Sequence, residues 1–269
     1  MISAALNDEL KNKYCPEGSD LRKAQIRMTD MLVYVDSICK KYKINYWLDS
    51  GTLLGAVRHG GFIPWDDDVD ICIEYKDAKK LIKALRTNPH PDYVVQDRIS
   101  DKNHWREWFT IRDVKTEYIQ DSVFHNSQKF KGLQVDVFLF EPYVNHSLWC
   151  ISAKMYRVKL ALVEKGYYNT AVLFHYIANS IVYPVFRIIS RILRSHTTEL
   201  HKVYGQVFDH YLSKSTIFPI KEIQFEGRSF QCPNDTEAYL KEYYGKDYLR
   251  LPNNSEIAKY NHNVNIKFL

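Results

Sequence analysis

The feature that most constrains how this chain folds is a run of four aspartates within five residues: Asp66, Asp67, Asp68 and Asp70. Carboxylates this dense repel one another unless a cation neutralises them, and hard oxygen ligands suit Mg²⁺ or Mn²⁺. The acidic run leads into an alternating apolar stretch, Val69 to Tyr75, which predicts a β-strand. The chain must therefore place several carboxylates where a strand begins, and a cation site is the first hypothesis.

A further aspartate, Asp136, lies inside the apolar run LQVDVFLF, Leu133 to Phe140, which predicts a second strand. A lone charge in so apolar a strand is costly to bury without a partner. Because side chains two residues apart in a strand share a face, Asp68 and Asp70 point the same way; Asp66 has the same parity but precedes the strand. If the two strands are neighbours, Asp68, Asp70 and Asp136 come together and bind one or two divalent cations. These three are the expected catalytic residues.

The turn Ser50-Gly51-Thr52 precedes a predicted helix, Thr52 to His59, about 17 residues before the aspartate pair. Backbone N–H groups at a helix N-terminus can receive a phosphate, and glycine lets the phosphate approach closely. The alternatives for the acidic run are a solvated loop or a structural calcium site, but the EF-hand calcium pattern is absent. The combination favours a metal-dependent site that handles phosphate.

Composition narrows the class of protein. With 269 residues, 45% hydrophobic and 26% charged, the chain is typical of a soluble globular protein. The net charge of +5 comes without a basic run, so nucleic acid is not predicted as a partner. Five scattered cysteines predict neither a disulfide framework nor a cysteine zinc site and fit a reducing compartment. We find no signal-peptide pattern and no uncharged apolar run long enough for a bilayer span, so the expected location is cytoplasmic.

Hydrophobic periodicity and turn residues predict an α/β (α+β) layout. We expect a catalytic part at residues 1–145 and a mainly helical part with a β-hairpin at 146–269, packed together as one unit. Within them, residues 1–19 are expected to be a loose lead-in, and residues 147–212 are expected to be helical with a break near Pro184. The other predicted helices and strands are Asp20 to Lys43, Tyr46 to Leu48, Asp77 to Arg86, Tyr93 to Gln96, Trp108 to Arg112, Glu117 to Ile119, Ile223 to Phe225, Ser229 to Gln231 and Asp235 to Tyr244.

The order of strand, Gly-Ser turn on a helix, Asp-x-Asp on the next strand and a later Asp resembles the nucleotidyltransferase superfamily. The fuller string DSGTLLGAVRHGGFIPWDDDVDI looks like the LicD family, whose relatives include fukutin and fukutin-related protein. The resemblance is strong from Asp20 to Glu74, weaker through RDVKTEYI and LQVDVFLF, and returns at YLKEYYGKDYLRLP, Tyr239 to Pro252. One departure is Phe138 to Glu141, where the family pattern has a proline and an aspartate.

This resemblance implies a nucleotidyltransferase-like small mixed sheet with flanking helices. It implies Mg²⁺-dependent transfer of phosphocholine, or a related group such as ribitol phosphate, from CDP-choline or CDP-ribitol to a glycan hydroxyl in lipopolysaccharide, teichoic acid or a capsule precursor. By motif position, Asp68, Asp70 and Asp136 hold the metal, and Asp66 completes the cluster. The resemblance places Ser50, Gly51 and Thr52 in the phosphate turn and lays Arg58 and His59 over the donor's phosphates. From the residues alone, a surface charge is the alternative for Arg58, and His59 could equally be a packed helix end.

The segment from Ala171 to Arg194 is apolar and carries arginines at its end. It is either a buried helix pair or a basic amphipathic surface for peripheral contact with the inner face of the plasma membrane, which would suit a lipid-linked glycan acceptor. Two rival functions also stay open. One is a nucleotidyltransferase that adds a nucleotide to a small acceptor, and the other is a non-catalytic glycan-binding or scaffold protein on the same fold.

Overall fold

A computed structural model describes residues 2–120, 122–193, 198–260 and 265–269. The main sheet has the order β1-β2-β6-β4-β3, with β7 paired to β6 and β8 to β7. Strands β2 and β6 are parallel, and the other pairs are antiparallel. The strands are β1 Tyr46–Leu48, β2 Val69–Glu74, β3 Tyr93–Gln96, β4 Phe109–Asp113, β5 Thr116–Tyr118, β6 Gln134–Pro142, β7 Glu199–Lys202, β8 Tyr211–Ser213, β9 Lys221–Phe225, β10 Arg228–Cys232 and β11 Ile266–Phe268.

Helices flank this sheet, as expected for an α+β protein. A π-helical turn, Ala178–Val182, joins two of them without an intervening loop. The α-helices are α1 Ala4–Tyr14, α2 Asp20–Tyr42, α3 Ser50–His59, α4 Tyr75–Thr87, α5 Val123–Asn126, α6 His146–Glu164, α7 Tyr168–Ile177, α8 Tyr183–Leu193, α9 Lys214–Ile217, α10 Thr236–Tyr244 and α11 Asn254–Tyr260. The predicted α/β (α+β) class, with a mixed sheet and flanking helices, is confirmed.

Helix α2 shows how the local sequence sets these elements. The Ser19 hydroxyl accepts a hydrogen bond from the Arg22 N–H and caps its start, and Lys43 ends it in a left-handed conformation. Met28, Leu32 and Val35 recur at helical spacing and are fully buried. This face packs against α4 and β6, so α2 covers the sheet beside the strands that carry the aspartates.

Two sequence predictions are wrong in the lead-in and in the second half of the chain. The predicted lead-in contains helix α1, which Ser3 caps by accepting from the Leu6 N–H. In the predicted helical region, α8 is described as far as Leu193, and the described residues from 198 onward form β7 and β8 instead of a helix. Isolated three- and four-residue strands have too little periodicity to be distinguished from helix in a sequence, and here pairing with β6 decides their conformation.

The predicted break at Pro184 is also wrong. The helical run continues from Tyr168 to Leu193, and the irregularity is the π-turn just before α8. Pro184 is the second residue of α8, and a π-turn in front of it relieves the clash that a proline ring makes with the preceding helical carbonyls. Arg194, the last residue of the segment predicted to contact a membrane, lies outside the described residues.

One hydrophobic core spans both predicted parts of the chain. It includes Val135 and Val137 from β6, Leu200 from β7, and Tyr239 and Leu240 from α10. Strand β7 adds to the end of β6, so the second half of the chain contributes directly to the main sheet. The division into residues 1–145 and 146–269 stays a prediction.

Candidate active site

The acidic run and the Ser50–Gly51 turn open on one cavity of about 690 Å³, within the usual size range of small-molecule sites. Its walls come from the start of α3, the segment before β2, the β7–β8 region and the C-terminal segment from Tyr244 to Pro252. The lining residues are Ser50, Gly51, Leu54, Arg58, Ile63, Trp65, Asp66, Asp67, Asp68, Asp70, Phe138, Lys202, Phe208, His210, Tyr244, Asp247, Tyr248, Arg250 and Pro252.

The parallel pairing of β2 and β6 puts Asp70 directly opposite Asp136. Directly paired residues of neighbouring strands point to the same face, so both carboxylates lie on the side that carries the cavity. Burial raises the pKa of Asp70 well above its usual range, and the charges of Asp68 and Asp136 raise it further. Sequence analysis anticipates this strand pairing, while the metal-ligand role of the two residues stays a prediction.

Asp136 has its own set of hydrogen bonds. Both its carboxylate oxygens accept from Arg106 Nη1 at 3.0 Å, Oδ1 also accepts from Thr110 Oγ1 at 2.6 Å, and Oδ2 accepts from Gln134 Nε2 at 3.0 Å. Asp136 is buried and is not among the residues that line the cavity. A cation bound to Asp136 would therefore share this carboxylate with Arg106.

The Asp66 carboxylate lies beside the phosphate turn. A methyl group on Gly51 would lie 2.8 Å from Asp66 Oδ2, so the absence of a side chain at Gly51 makes room for this carboxylate. Burial raises the pKa of Asp66 well above its usual range, and the charges of Asp68 and Asp67 add to that rise. A phosphate received by this turn would meet a carboxylate at contact distance, and such a pair of anions requires a cation between them. The donor set therefore fits a hard divalent metal ion.

The phosphate turn has a strained start. Ser50 has a φ of +48°, a left-handed conformation that is uncommon for a residue with a side chain. Thr52 does not line the cavity; its buried hydroxyl accepts a hydrogen bond from the Asp70 N–H at 2.9 Å. Thr52 thereby fixes the distance between the turn and the strand that carries Asp70.

Arg58 and His59 have different environments in the structure. Arg58 lines the cavity, and its Nη1 donates to the carbonyl oxygens of Arg250 at 3.1 Å and Tyr248 at 3.4 Å, so it also holds the C-terminal wall. His59 is not among the lining residues; its Nδ1 lies 2.8 Å from Asn7 Oδ1, and its Nε2 accepts from Arg58 Nε at 3.0 Å. Burial lowers the pKa of His59 to about 3 and keeps the ring neutral. The structure gives His59 packing contacts, in agreement with the alternative of a packed helix end.

A buried polar network supports the floor of the cavity. Lys202 Nζ donates to Asp49 Oδ2 at 3.1 Å, and the Tyr239 hydroxyl donates to Asp49 Oδ1 at 2.6 Å. Burial by itself raises the pKa of Asp49, but the charge of Lys202 and these hydrogen bonds lower it to about 2. Asp49 directly precedes the phosphate turn, so the network fixes the position from which the turn begins.

Sequence reasoning missed several cavity residues. Lys202, Phe208 and His210 fall in a region predicted to be helical, and nothing in their sequence pattern marks them. The C-terminal cavity residues from Tyr244 to Pro252 could be suspected from sequence, because the family resemblance returns over YLKEYYGKDYLRLP. That resemblance did not show that the segment forms a wall of the same cavity.

Comparison with known protein families adds independent information. Residues 43–162 match the family described as LicD/FKTN/FKRP, nucleotidyltransferase domain. This range contains the phosphate turn, the acidic run, both aspartate-bearing strands and most of α6.

Three curated relatives show how far the similarity extends. The chain is 28% identical over 262 residues to the lipopolysaccharide cholinephosphotransferase LicD of Haemophilus influenzae, covering 86% of this chain and 92% of that protein. It is 43% identical over 90 residues to an uncharacterized protein of Rickettsia prowazekii, covering 34% and 32% of the two chains. It is 50% identical over 45 residues to the human ribitol 5-phosphate transferase FKRP, covering 17% of this chain and 9% of FKRP.

Proposed function

We propose that this chain is a LicD-type transferase that moves phosphocholine, or a related phospho-alcohol, from a CDP-linked donor to a hydroxyl of a cell-surface glycan, because residues 43–162 match the LicD-family nucleotidyltransferase domain. Support for the choline group comes from the relative that matches along most of its length, a lipopolysaccharide cholinephosphotransferase. Ribitol phosphate is the alternative group, because the locally similar FKRP is a ribitol 5-phosphate transferase.

One observation carries this proposal: the phosphate turn and the acidic cluster face the same cavity, where the Asp66 carboxylate takes up the space that a side chain on Gly51 would need. We assign Mg²⁺ to Asp66, Asp68 and Asp70, with Asp136 beside them on β6. When bound, the ion would neutralise the donor's diphosphate and the developing charge on the transferred phosphoryl group. The identity of the ion rests on the oxygen-only donor set.

The residues of the cavity supply the remaining parts of the reaction. The N–H groups at the start of α3 receive a phosphate, and Arg58 and Lys202 place positive charge on the same lining. The acceptor oxygen forms a bond to the phosphorus next to the alcohol, the phosphorus–oxygen bond to cytidine monophosphate breaks, and the hydroxyl proton passes to a carboxylate. Asp66 and Asp70 line the cavity and are better placed for that proton than Asp136.

Aromatic side chains make the cavity suitable for a quaternary ammonium group. Trp65, Phe208, Tyr244 and Tyr248 all line it, and Tyr244 and Phe208 are 44% and 43% exposed. A trimethylammonium group lying on such ring faces gains cation–π attraction. A pentitol would gain no such attraction, so these rings favour choline over ribitol as the transferred alcohol.

A thermal-shift panel with Mg²⁺ tests the proposal. A ligand that binds the folded state raises the unfolding midpoint, so CDP-choline should raise it more than CDP-ribitol, CDP-ethanolamine and CTP at equal concentration. Mass analysis of the product on a lipopolysaccharide acceptor should then show an added phosphocholine. An added nucleotide, or a response to CTP alone, would replace this proposal with the nucleotidyltransferase function.

We also propose peripheral membrane contact through the helical run Tyr168–Leu193, which is long and apolar enough to cross a membrane by length and composition. This finding corrects the expectation that the chain holds no run of that length. Exposed apolar side chains form a stripe at helical spacing along one face: Leu173, Ile177, Ile181, Val185, Ile188 and Ile192. The opposite face packs on the protein, where Arg187 Nε donates to Glu141 Oε2 at 2.7 Å and His175 is buried. These contacts favour a helix that lies on the membrane surface over one that spans the membrane.

Flotation with vesicles of phosphatidylglycerol and phosphatidylethanolamine tests this contact. We expect the wild-type chain to float and the double variant Leu173→Asp/Ile188→Asp to stay at the bottom. Ile99→Asp is the matched control, because Ile99 is 84% exposed in a turn far along the chain from the stripe. Equal flotation of the wild-type chain and the double variant would remove the proposal.

A further inference from the structure

A second candidate metal centre lies outside the acidic cluster, where three side chains from separate elements converge. His201 belongs to β7, His146 is the first residue of α6, and Asp209 lies between β7 and β8. One ligand atom from each lies within 4.8 Å of the others. His201 Nε2 is 3.1 Å and His146 Nδ1 is 3.8 Å from the same atom, Asp209 Oδ1.

Neighbouring contacts fix the orientation of the His201 ring. Its Nδ1 lies 2.7 Å from the Lys202 carbonyl oxygen, and since a carbonyl can only accept, Nδ1 carries a hydrogen; in the neutral ring Nε2 then holds a lone pair. The ring also contacts the rings of Trp149 and Tyr211, with centroids 5.2 and 5.0 Å away. Metal-binding histidines have this arrangement, in which a backbone carbonyl holds the other ring nitrogen and sets the tautomer.

In the neutral ring the Nε2 lone pair of His201 faces a carboxylate oxygen 3.1 Å away, so a cation, either a proton or a metal ion, lies between these two acceptors. His146 has a matching arrangement, because its Nε2 lies 3.5 Å from Cys150 Sγ and its Nδ1 faces Asp209.

We propose that His146 Nδ1, His201 Nε2 and Asp209 Oδ1 bind a Zn²⁺ ion, with solvent as the fourth ligand. Two imidazole nitrogens and a carboxylate suit zinc, while the all-oxygen cluster at Asp66 to Asp70 suits magnesium. Zinc–ligand bonds of about 2.0–2.2 Å in a tetrahedron put ligand atoms roughly 3.3 Å apart. The observed 3.1 and 3.8 Å approach that value, and the exposed His146 ring, 53% accessible, can adjust to it.

The position of this centre gives it a structural consequence. The segment between His201 and Asp209 contains Lys202 and Phe208, and His210 follows it directly; all three line the candidate active site. An ion that joins both ends of this segment to α6 would hold one wall of the cavity in place. Zinc binding itself does not depend on the proposed transferase function, so the two can fail separately.

Zinc titration of the chelator-treated full chain, with a chromophoric zinc indicator as competitor, tests the proposal. We expect one tight equivalent in the wild-type chain, and at least about 100-fold weaker binding of that equivalent in His146→Ala and Asp209→Asn, since loss of a supporting residue alone costs 10- to 100-fold. Both side chains are largely exposed, so these variants should fold, which circular dichroism checks.

The matched control is His90→Ala, which removes a partly exposed histidine that stacks on Tyr93, away from the three proposed ligands. It should keep the wild-type affinity. Co²⁺ substitution should also give the absorption of a four-coordinate site in the wild-type and control chains and lose it in the two ligand variants. Wild-type zinc affinity in both His146→Ala and Asp209→Asn, or no tight equivalent in the wild-type chain, would overturn the proposal.

Discussion

Asp70 and Asp136 are direct partners across the only parallel strand pair in the part of the main sheet that the structure describes. Their environments differ: Asp70 faces the cavity among other carboxylates, and Asp136 is held by Arg106. Removing the charge of each residue should therefore have opposite effects on stability and the same effect on activity.

Asp70→Asn should abolish measurable transfer and stabilise the fold. The loss of a metal ligand removes several kcal/mol of transition-state stabilisation, which is at least about a 100-fold fall in kcat. Because burial and neighbouring carboxylates disfavour the Asp70 charge, the unfolding midpoint without added cation should rise by about 2–4 °C, or roughly 1 kcal/mol. Asp30→Asn, on the exposed side of α2, is the control and should change neither quantity. Transfer near the wild-type rate by Asp70→Asn would refute its assignment.

Asp136→Asn should lose both activity and stability. The substitution leaves the Arg106 guanidinium without its anionic partner in a site where Asp136 has 7% of its side chain exposed. Hydrogen bonds to charged groups contribute roughly 1.5–3 kcal/mol each, so we expect a loss of about 2 kcal/mol in urea unfolding. An unchanged urea midpoint would show that the Arg106 pair has no stabilising role.

Gly51→Ala should impair catalysis through Asp66. The new methyl group meets Asp66 Oδ2 at 2.8 Å, so the carboxylate must move away from the phosphate turn. A shift of this size at a reacting centre can cost about 100-fold in rate. In a double-mutant cycle, Gly51→Ala should add little to the loss already caused by Asp66→Ala. Fully additive losses would mean that Gly51 acts independently of Asp66.

Stability should fall as the pH drops from about 6.5 toward 4, in part because of His104. Its Nε2 donates to the Trp108 carbonyl at 2.6 Å, and burial lowers its pKa to about 4. Below pH 6.5 the unfolded chain gains a proton that the folded chain does not, which favours unfolding and costs about 2 kcal/mol between pH 7 and 5. His104→Gln keeps a donor for the Trp108 carbonyl. Between pH 7 and 5 this variant should lose about 2 kcal/mol less stability than the wild-type chain. Parallel pH curves for the two chains would contradict the assignment.

The first half of the chain is largely predictable from sequence. Strands β1, β2 and β6 and helix α2 all begin and end within two residues of their predicted bounds. The pairing of Asp70 with Asp136 could be anticipated because each charge lies in an apolar strand and needs a shared environment. These are local or charge-driven signals, which a single sequence carries.

The remainder depends on contacts between distant parts of the chain. Strand β7 is four residues long and forms because β6 extends past its pairing with β4 and leaves an edge there. Lys202 is buried beneath the cavity because Asp49, more than 150 residues earlier, neutralises it. Arg58 holds the C-terminal segment by donating to the Arg250 carbonyl, and this contact also joins residues that are far apart in the sequence. No local pattern encodes such pairs, so sequence reasoning could not find them.

Calorimetric titration of CDP-choline into the wild-type chain, with Mg²⁺ and again with a chelator in its place, tests the acidic phosphate site most directly. We predict binding with Mg²⁺, loss of that binding with the chelator, and loss in Asp70→Asn even when Mg²⁺ is present. Equal affinity for CDP-choline with Mg²⁺ and with the chelator would contradict a metal-bridged phosphate site at Asp66 to Asp70.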